Sequence, residues 1–255
     1  MAYKIYIDAG HGGYDMGASY NGRYEKDDNL NLAKAVGKEL EDMGYEVGYT
    51  RSTDVYQSPN EKAEIANDNN ADLFISIHRN TSPVPNTYQG VEILVFNKGD
   101  LKEDMAKKIA DNLADVGFSN LGVDARKNLA VLRKTKMPAL LIDVGFINTD
   151  YDNQLFDGNF ERIVMAIAQG IDDAINQEQE SEVKLSYRVQ VGLFKNYNNA
   201  ENLQELLVEK GYPAEIVELG GLSAVLVGSY ATVQEAQRME DELASAGYES
   251  IVIAL

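Results

Sequence analysis

Short apolar runs alternate with helical stripes along the first two thirds of the chain, and the two periods together predict an α/β layered unit. Lys4–Asp8 reads as a strand. Asn29–Met43 carries apolar residues at Leu30, Leu32, Ala33, Val36, Leu40 and Met43, a helical stripe that Gly44 stops. Tyr45–Thr50, Asp72–His78, Val91–Phe96 and Pro138–Val144 read as further strands, and Asn60–Asn69, Leu101–Val116 and Glu161–Ile175 as further helices. Asp72–His78 is nearly continuous in apolar residues, as strands buried on both faces of a parallel sheet are. Residues 1–176 are therefore expected to form a mostly parallel twisted sheet with helices on both faces.

The pattern changes after Asn176. Residues 177–184 open on Gln-Glu-Gln-Glu-Ser-Glu-Val, which is acidic and has no apolar period; they are expected to be a linker, or an extension of the last helix. Residues 185–255 contain a βαβ unit twice. Tyr187–Phe194 is echoed by Leu222–Tyr230, and each echo is followed by a helix (Asn199–Lys210, Val233–Ala246) and a strand (Ala214–Leu219, Ser250–Ala254). Gly211-Tyr212 and Gly247-Tyr248 repeat the same helix stop. Two copies are too few for a solenoid. They predict one small α+β domain, a four-stranded sheet backed by two helices.

A chain of 255 residues suits this division into one large and one small domain. With 41 acidic against 23 basic residues the net charge is −18, which argues against partners held through phosphates, nucleic acid and anionic lipid alike. The absence of cysteine removes disulfides, thiolate metal sites and cysteine nucleophiles. No basic-then-apolar leader precedes the first strand and no run of about 18 apolar residues occurs, so the expectation is synthesis in the cytoplasm as a soluble product.

Candidate chemistry gathers at two strand ends. The only histidines, His11 and His78, each follow an apolar run and open a polar turn, where open α/β sheets place their ligands. Catalytic zinc commonly takes three histidine or carboxylate ligands and leaves a position open; the metal lowers the pKa of a water to about 7 and polarises a carbonyl. If the first and third strands are neighbours, the histidines supply two ligands. The carboxylate candidates are Asp8, Asp15, Glu25, Asp27 and Asp28, among which Glu25 stands out because it closes a loop running back over the end of the first strand. Asp143, at the end of the last strong strand, is placed to act as a base or to cap its own turn.

Several blocks resemble the zinc-dependent N-acetylmuramoyl-L-alanine amidases of the amidase-3 type. They are Asp8-Ala-Gly-His11-Gly-Gly-Tyr-Asp15-Met-Gly17-Ala18, Glu25-Lys-Asp-Asp-Asn-Leu30, Thr50-Arg51-Ser-Thr-Asp54, Ala71–Asn80, Val131-Leu132-Arg133 and Met137–Asn148, in order over residues 3–175. The resemblance implies zinc (Zn2+) on His11, Glu25 and His78, and hydrolysis of the amide joining N-acetylmuramic acid to L-alanine in peptidoglycan. It implies a general base at Asp143, where the family carries a glutamate, one methylene longer. With the missing leader, it suggests a phage endolysin or a mother-cell lysin of a spore former, acting on the wall after release.

The last 71 residues, 185–255, resemble a SPOR domain, a peptidoglycan-binding module of ferredoxin-like type, through Tyr187–Phe194 and Val227-Gly-Ser-Tyr230. The resemblance implies glycan binding on the sheet, with Gln190, Phe194 and Tyr230 as candidates. Residues 177–255 hold 5 basic and 13 acidic residues, net −8, so glycan capture there is not charge-driven. The competing readings are a zinc peptidase acting on the stem peptide, and a wall-binding protein whose catalysis is weakened at Asp143.

Overall fold

In this computed structural model, which describes residues 3–184 and 186–255 (the side chains of residue 100 and of 178–184 excepted), the apolar runs pair as their pattern requires. The chain divides into two units, Met1–Asn176 and Gln177–Leu255. In chain order the first holds β1 (Lys4–Ala9), a small hairpin of β2 (Ser19–Tyr20) and β3 (Arg23–Tyr24), α1 (Glu25–Asp42), β4 (Glu46–Tyr49), α2 (Pro59–Asp68), β5 (Leu73–Asn80) and β6 (Val91–Val95). It continues with α3 (Asp100–Val116), β7 (Asn120–Ala125), α4 (Ala130–Lys134), β8 (Ala139–Phe146), α5 (Asp150–Gly158) and most of α6 (Phe160–Lys184). The six long strands form one sheet in the order β4-β1-β5-β8-β6-β7, parallel throughout except for the β6–β8 pair.

Alternation along the strands divides the core in two. Ile5, Ile7, Leu73, Ile75, Ile77, Ile93, Leu140 and Ile142 pack with α1, α3 and α6 in the large cluster. Phe74, Leu94 and Leu141 face the other way, against Ala66 of α2 and Val131 and Leu132 of α4. Helices therefore cover both faces. On the second face the next positions along each strand are polar: Asp8, Ser76, His78, Glu92 and Asp143.

α1 starts at Glu25, five residues before its apolar stripe begins at Leu30. The first turn is acidic (Glu25, Asp27, Asp28), which suits the positive end of the helix dipole, and it turns toward the strand ends rather than the core. The 177–184 segment is helical as far as Lys184, in keeping with its glutamates and glutamines, and not an extended linker.

The second unit contains β9 (Tyr187–Phe194), α7 (Tyr197–Glu209), β10 (Ala214–Leu219), β11 (Leu222–Tyr230), α8 (Val233–Ser245) and β12 (Ile251–Ala254). Its antiparallel sheet, ordered β10-β11-β9-β12, is the ferredoxin-like arrangement, with Val189, Val225 and Val227 packed against Ala200, Leu207, Ala236 and Leu243 of the helices. Thr232 and Glu235 close a reciprocal capping box at the start of α8.

One buried ion pair ties the first unit together where the site begins. Asp8 Oδ1 accepts hydrogen bonds from Thr50 Oγ1 and Lys62 Nζ, each at 2.7 Å, and Oδ2 accepts one from Ser76 Oγ at 2.7 Å. Strand β1 is thereby fastened to the end of β4, to α2 and to β5. Burial alone would push the Asp8 pKa up; Lys62 and the Thr50 hydroxyl outweigh it and hold the carboxyl below its ordinary value. Removing Lys62 leaves that charge buried and unpaired. Lys62→Met is expected to destabilise the first unit by about 3–5 kcal/mol at neutral pH, measured by calorimetry. Since the native Asp8 pKa is lowered, its stabilisation is complete above about pH 4 and is lost as the pH falls through the folded value; the gap between wild type and variant should therefore narrow in acid.

Candidate metal centre

β1 and β5 are hydrogen-bonded neighbours, and both histidines stand at their ends. His78 lies on the face of Phe74 and Ser76, and its ring passes over Gly10, just beyond the end of β1. A Cβ at Gly10 would lie 2.3 Å from that ring, so only glycine admits it. His11 adopts the left-handed conformation with φ 60°, a strain of order 1 kcal/mol that functional turns sustain when their surroundings fix them. Arg51 supplies that fixation. Its guanidinium donates to the carbonyls of Ala9 (3.0 Å), Gly10 (2.9 Å) and Lys26 (2.9 Å), joining the turn to the start of α1.

Glu25, the first residue of α1, is buried between the two imidazoles. Its Oε2 lies 3.2 Å from His11 Nε2 and accepts a hydrogen bond from the Ala18 N–H (2.9 Å). Its Oε1 lies 2.9 Å from His78 Nδ1 and accepts from the N–H of Arg79 (3.1 Å) and from Asn29 Nδ2 (3.3 Å). Burial opposes ionisation of this carboxyl, but the two histidines prevail and hold its pKa far below the usual range. Burial likewise opposes the charged form of His11, and Glu25 and Asp15 outweigh it, raising the His11 pKa to about 9. Gly17 keeps the space open: a Cβ there would lie 2.5 Å from the His11 ring and 2.6 Å from Glu25 Oε2.

The other carboxylate candidates have different partners. Asp8 is bound in the structural ion pair. Asp15 Oδ2 lies 2.9 Å from His11 Nδ1, behind the ring, so that Nε2 faces Glu25. Asp28 accepts from Arg23 (2.7 Å) and Arg79 (2.5 Å), and Asp27 is exposed. One donor atom from each of His11, Glu25 and His78 lies within 4.8 Å of the others. Two imidazole nitrogens and one carboxylate oxygen form a donor set suited to zinc, whereas calcium and magnesium favour oxygens throughout. The backing of His11 by Asp15 adds the outer carboxylate that metal-bound histidines commonly have.

Asp143 on β8 stands opposite His78 on the neighbouring parallel strand, with Glu92 of β6 opposite it on the other side. The three share one sheet face. Burial, and after it the negative charges of Glu25 and Glu92, push the Asp143 pKa up to about 6, against the pull of His78. Sequence reasoning passed over Glu92, whose signal was a lone acid in the apolar run Val91–Val95. It also gave no role to Arg51, a charged residue at once after a strand.

In the second unit Gln190 faces away from the helices, on the row of Leu226 and Ile251. Phe194 and Tyr230 do not join it. Both pack against the helix-backed core, and a Cβ at Gly192 would meet the Phe194 ring at 2.4 Å and Leu203 of α7 at 2.9 Å. An irregular register between Val225 and Leu226 moves the end of β9 out of simple alternation and turns Phe194 inward.

Residues 5–173 match the family model described as N-acetylmuramoyl-L-alanine amidase, and residues 186–254 match the SPOR domain model. The chain is 34% identical over 220 residues to the sporulation-specific N-acetylmuramoyl-L-alanine amidase of Bacillus subtilis (strain 168), a match covering 84% of each. It is 33% identical over 189 residues to an endolysin of Bacillus phage SPP1, covering 71% of this chain and 69% of that protein. Among solved structures, the N-acetylmuramoyl-L-alanine amidase from Clostridium difficile 630 aligns with a TM-score of 0.63 at 33% identity, over 71% of this chain and 98% of that one.

The Gly10 contact makes the cluster testable. Gly10→Ala is expected to drive the His78 ring away from Glu25 and to lower affinity for zinc at least tenfold in competition titrations, with His78 ring resonances displaced in the metal-free protein.

Proposed function

The chain belongs to the N-acetylmuramoyl-L-alanine amidase family and its substrate is peptidoglycan, and we propose that His11, Glu25 and His78 hold the zinc ion of this amidase, with Asp143 as its general base. The observation that carries the proposal is a single buried carboxylate approached by nitrogens of both histidines, 3.2 and 2.9 Å away. When bound, zinc supplies Lewis-acid activation of water and of the scissile carbonyl. The chain's own residues do the rest. Asp15 holds the His11 ring in one tautomer and orientation, and Asn29 and the Arg79 N–H hold Glu25. Asp143, raised toward neutrality, takes a proton from the attacking water and returns it to the departing amine of L-alanine.

The same reading assigns the second unit to wall binding, with Gln190 on the sheet face turned away from α7 and α8. Phe194 and Tyr230 support that sheet from beneath. A sporulation setting is favoured over phage release: the match to the sporulation amidase covers 84% of the chain and so continues past the amidase unit, while that to the endolysin covers 71%.

The deciding assay incubates the full chain with purified peptidoglycan, with and without chelator, and identifies products by mass spectrometry. Peptides beginning with an intact L-alanine, together with peptide-free glycan, are expected; cuts inside the stem peptide would sink the amidase assignment in favour of a peptidase. Asp143→Ala should lose at least 100-fold in rate while zinc content stays near one per chain, and Asp143→Glu should keep or raise the wild-type rate. For the second unit, Gln190→Ala should weaken pelleting with peptide-free wall at unchanged melting temperature. Phe194→Ala should instead destabilise that unit by about 2 kcal/mol, as loss of half-buried aromatic packing requires.

A further inference from the structure

We propose that Tyr14 and Tyr56 form a stacking platform beside the metal centre that seats a sugar ring of the glycan strand, an assignment that rests on the amidase reading above. Tyr14 belongs to the turn that carries His11 and Asp15, one residue from the carboxylate behind the His11 ring. Its ring lies on that of Tyr56 with centroids 4.2 Å apart and planes 26° apart. One face of Tyr14 is used in that stack. The residue is nonetheless 77% exposed, so the opposite face is open. Met16 and Val55, close by in the same two loops, are each 46% exposed.

The platform is built rigidly, which exposed aromatics left over from folding seldom are. Gly12 and Asp15 exchange backbone hydrogen bonds of 2.9 and 3.1 Å across the turn. The Gly13 N–H donates to Asp54 Oδ1 at 2.7 Å, and Lys26 Nζ donates to the Gly13 carbonyl (2.9 Å) and to Asp54 Oδ2 (2.6 Å). A Cβ at Gly13 would lie 2.7 Å from the Tyr56 N–H nitrogen, so the two loops are in close contact. Ordering therefore precedes binding, and the ligand need not supply its cost. Lys26 and Asp54 satisfy each other, and the open side of Tyr14 is a flat aromatic face. A pyranose ring, whose flat face is a layer of C–H groups, matches that surface. An extended peptide, which calls for backbone hydrogen-bond partners, does not.

The test compares a glycan-bearing substrate, a disaccharide–tetrapeptide, with the corresponding N-lactoyl-tetrapeptide, which keeps the scissile amide and lacks the sugar. In the full chain, Tyr14→Leu should lower the ratio of kcat/KM on the first to that on the second by about tenfold, and Tyr14→Phe should restore the wild-type ratio. Equal losses on both substrates would overturn the proposal in favour of a peptide contact or a folding role, and an unchanged ratio without loss would overturn it outright. A second readout needs no catalysis. Adding a peptide-free GlcNAc–MurNAc tetrasaccharide to the chelator-treated chain should shift the ring resonances of Tyr14 and Tyr56, and unshifted rings at saturation would refute the platform. Failure of the amidase reading shows separately, as wild-type protein that releases no L-alanine terminus from either substrate.

Discussion

Everything at the functional end of the first unit is arranged around one buried negative charge. Glu25 is buried and takes five polar contacts, from Ala18, Asn29, Arg79 and the two histidines, and such a charge is tolerable only if it is paired. Two imidazoles do the pairing, and they come from strands adjacent in the sheet but 67 residues apart in the chain, His11 and His78. For those rings to reach one carboxylate, β1 must be followed at once by a residue with no side chain, Gly10, the chain must turn left-handed at His11, and α1 must begin where its first side chain enters the gap. Each of these is costly alone. Arg51, donating to the carbonyls of Ala9, Gly10, Lys26 and Thr53, and the Asp8–Lys62 pair beneath the turn supply the compensation. A zinc ion at the same place would take over the neutralising task from the protonated histidine, so the cluster's stability in the metal-free chain and its suitability for a cation have the same electrostatic origin.

Much of this was legible in the residues. Both histidines sat at the ends of apolar runs long enough to be strands, and the runs fell where the structure has them. The carboxylate was less legible, because five acids crowd the segment from Asp8 to Asp28 and only the path of the chain selects one. β7, α4 and α5 escaped notice for a different reason: Asn120–Ala125 is an edge strand with exposed and half-buried positions, and α4 and α5 are too short to show a helical period. The start of α1 was placed late since its first turn serves the site and carries no apolar stripe. Phe194 and Tyr230 illustrate the limit of alternation, which assigns faces correctly only until the register slips.

The acidic surface bears on how the two units use their substrate. With a net charge of −18, attraction at long range cannot concentrate the protein on an anionic wall, and salt screening would reduce what field there is to distances of about 10 Å. In the proposed reading contact comes instead from shape, stacking and hydrogen bonds: an amide side chain on the sheet of the second unit, and stacked aromatic rings beside the proposed metal centre of the first. Such contacts are short-ranged and weak individually. A chain that carries both units gains from holding them near the same polymer, because the second encounter is then intramolecular.

In the proposed reading Asp143 is the base, with a side chain one methylene shorter than the glutamate that the family resemblance implies at that position. Proton transfer depends on reach and on basicity, and the two are adjusted by different features. Reach is set by β8, whose register opposite His78 fixes where the carboxylate can go. Basicity is set by what surrounds it. The antiparallel placement of β6 brings Glu92 directly alongside, and with burial and the charge of Glu25 this raises the carboxyl to about 6, close to the pH at which the protein works if that is near neutral. A carboxylate drawn back toward the strand is also more deeply desolvated than a longer one would be, so the same shortening that costs reach favours the higher pKa. The lone acid in an apolar strand, which pattern alone would dismiss as an interruption, is then part of how the aspartate is tuned.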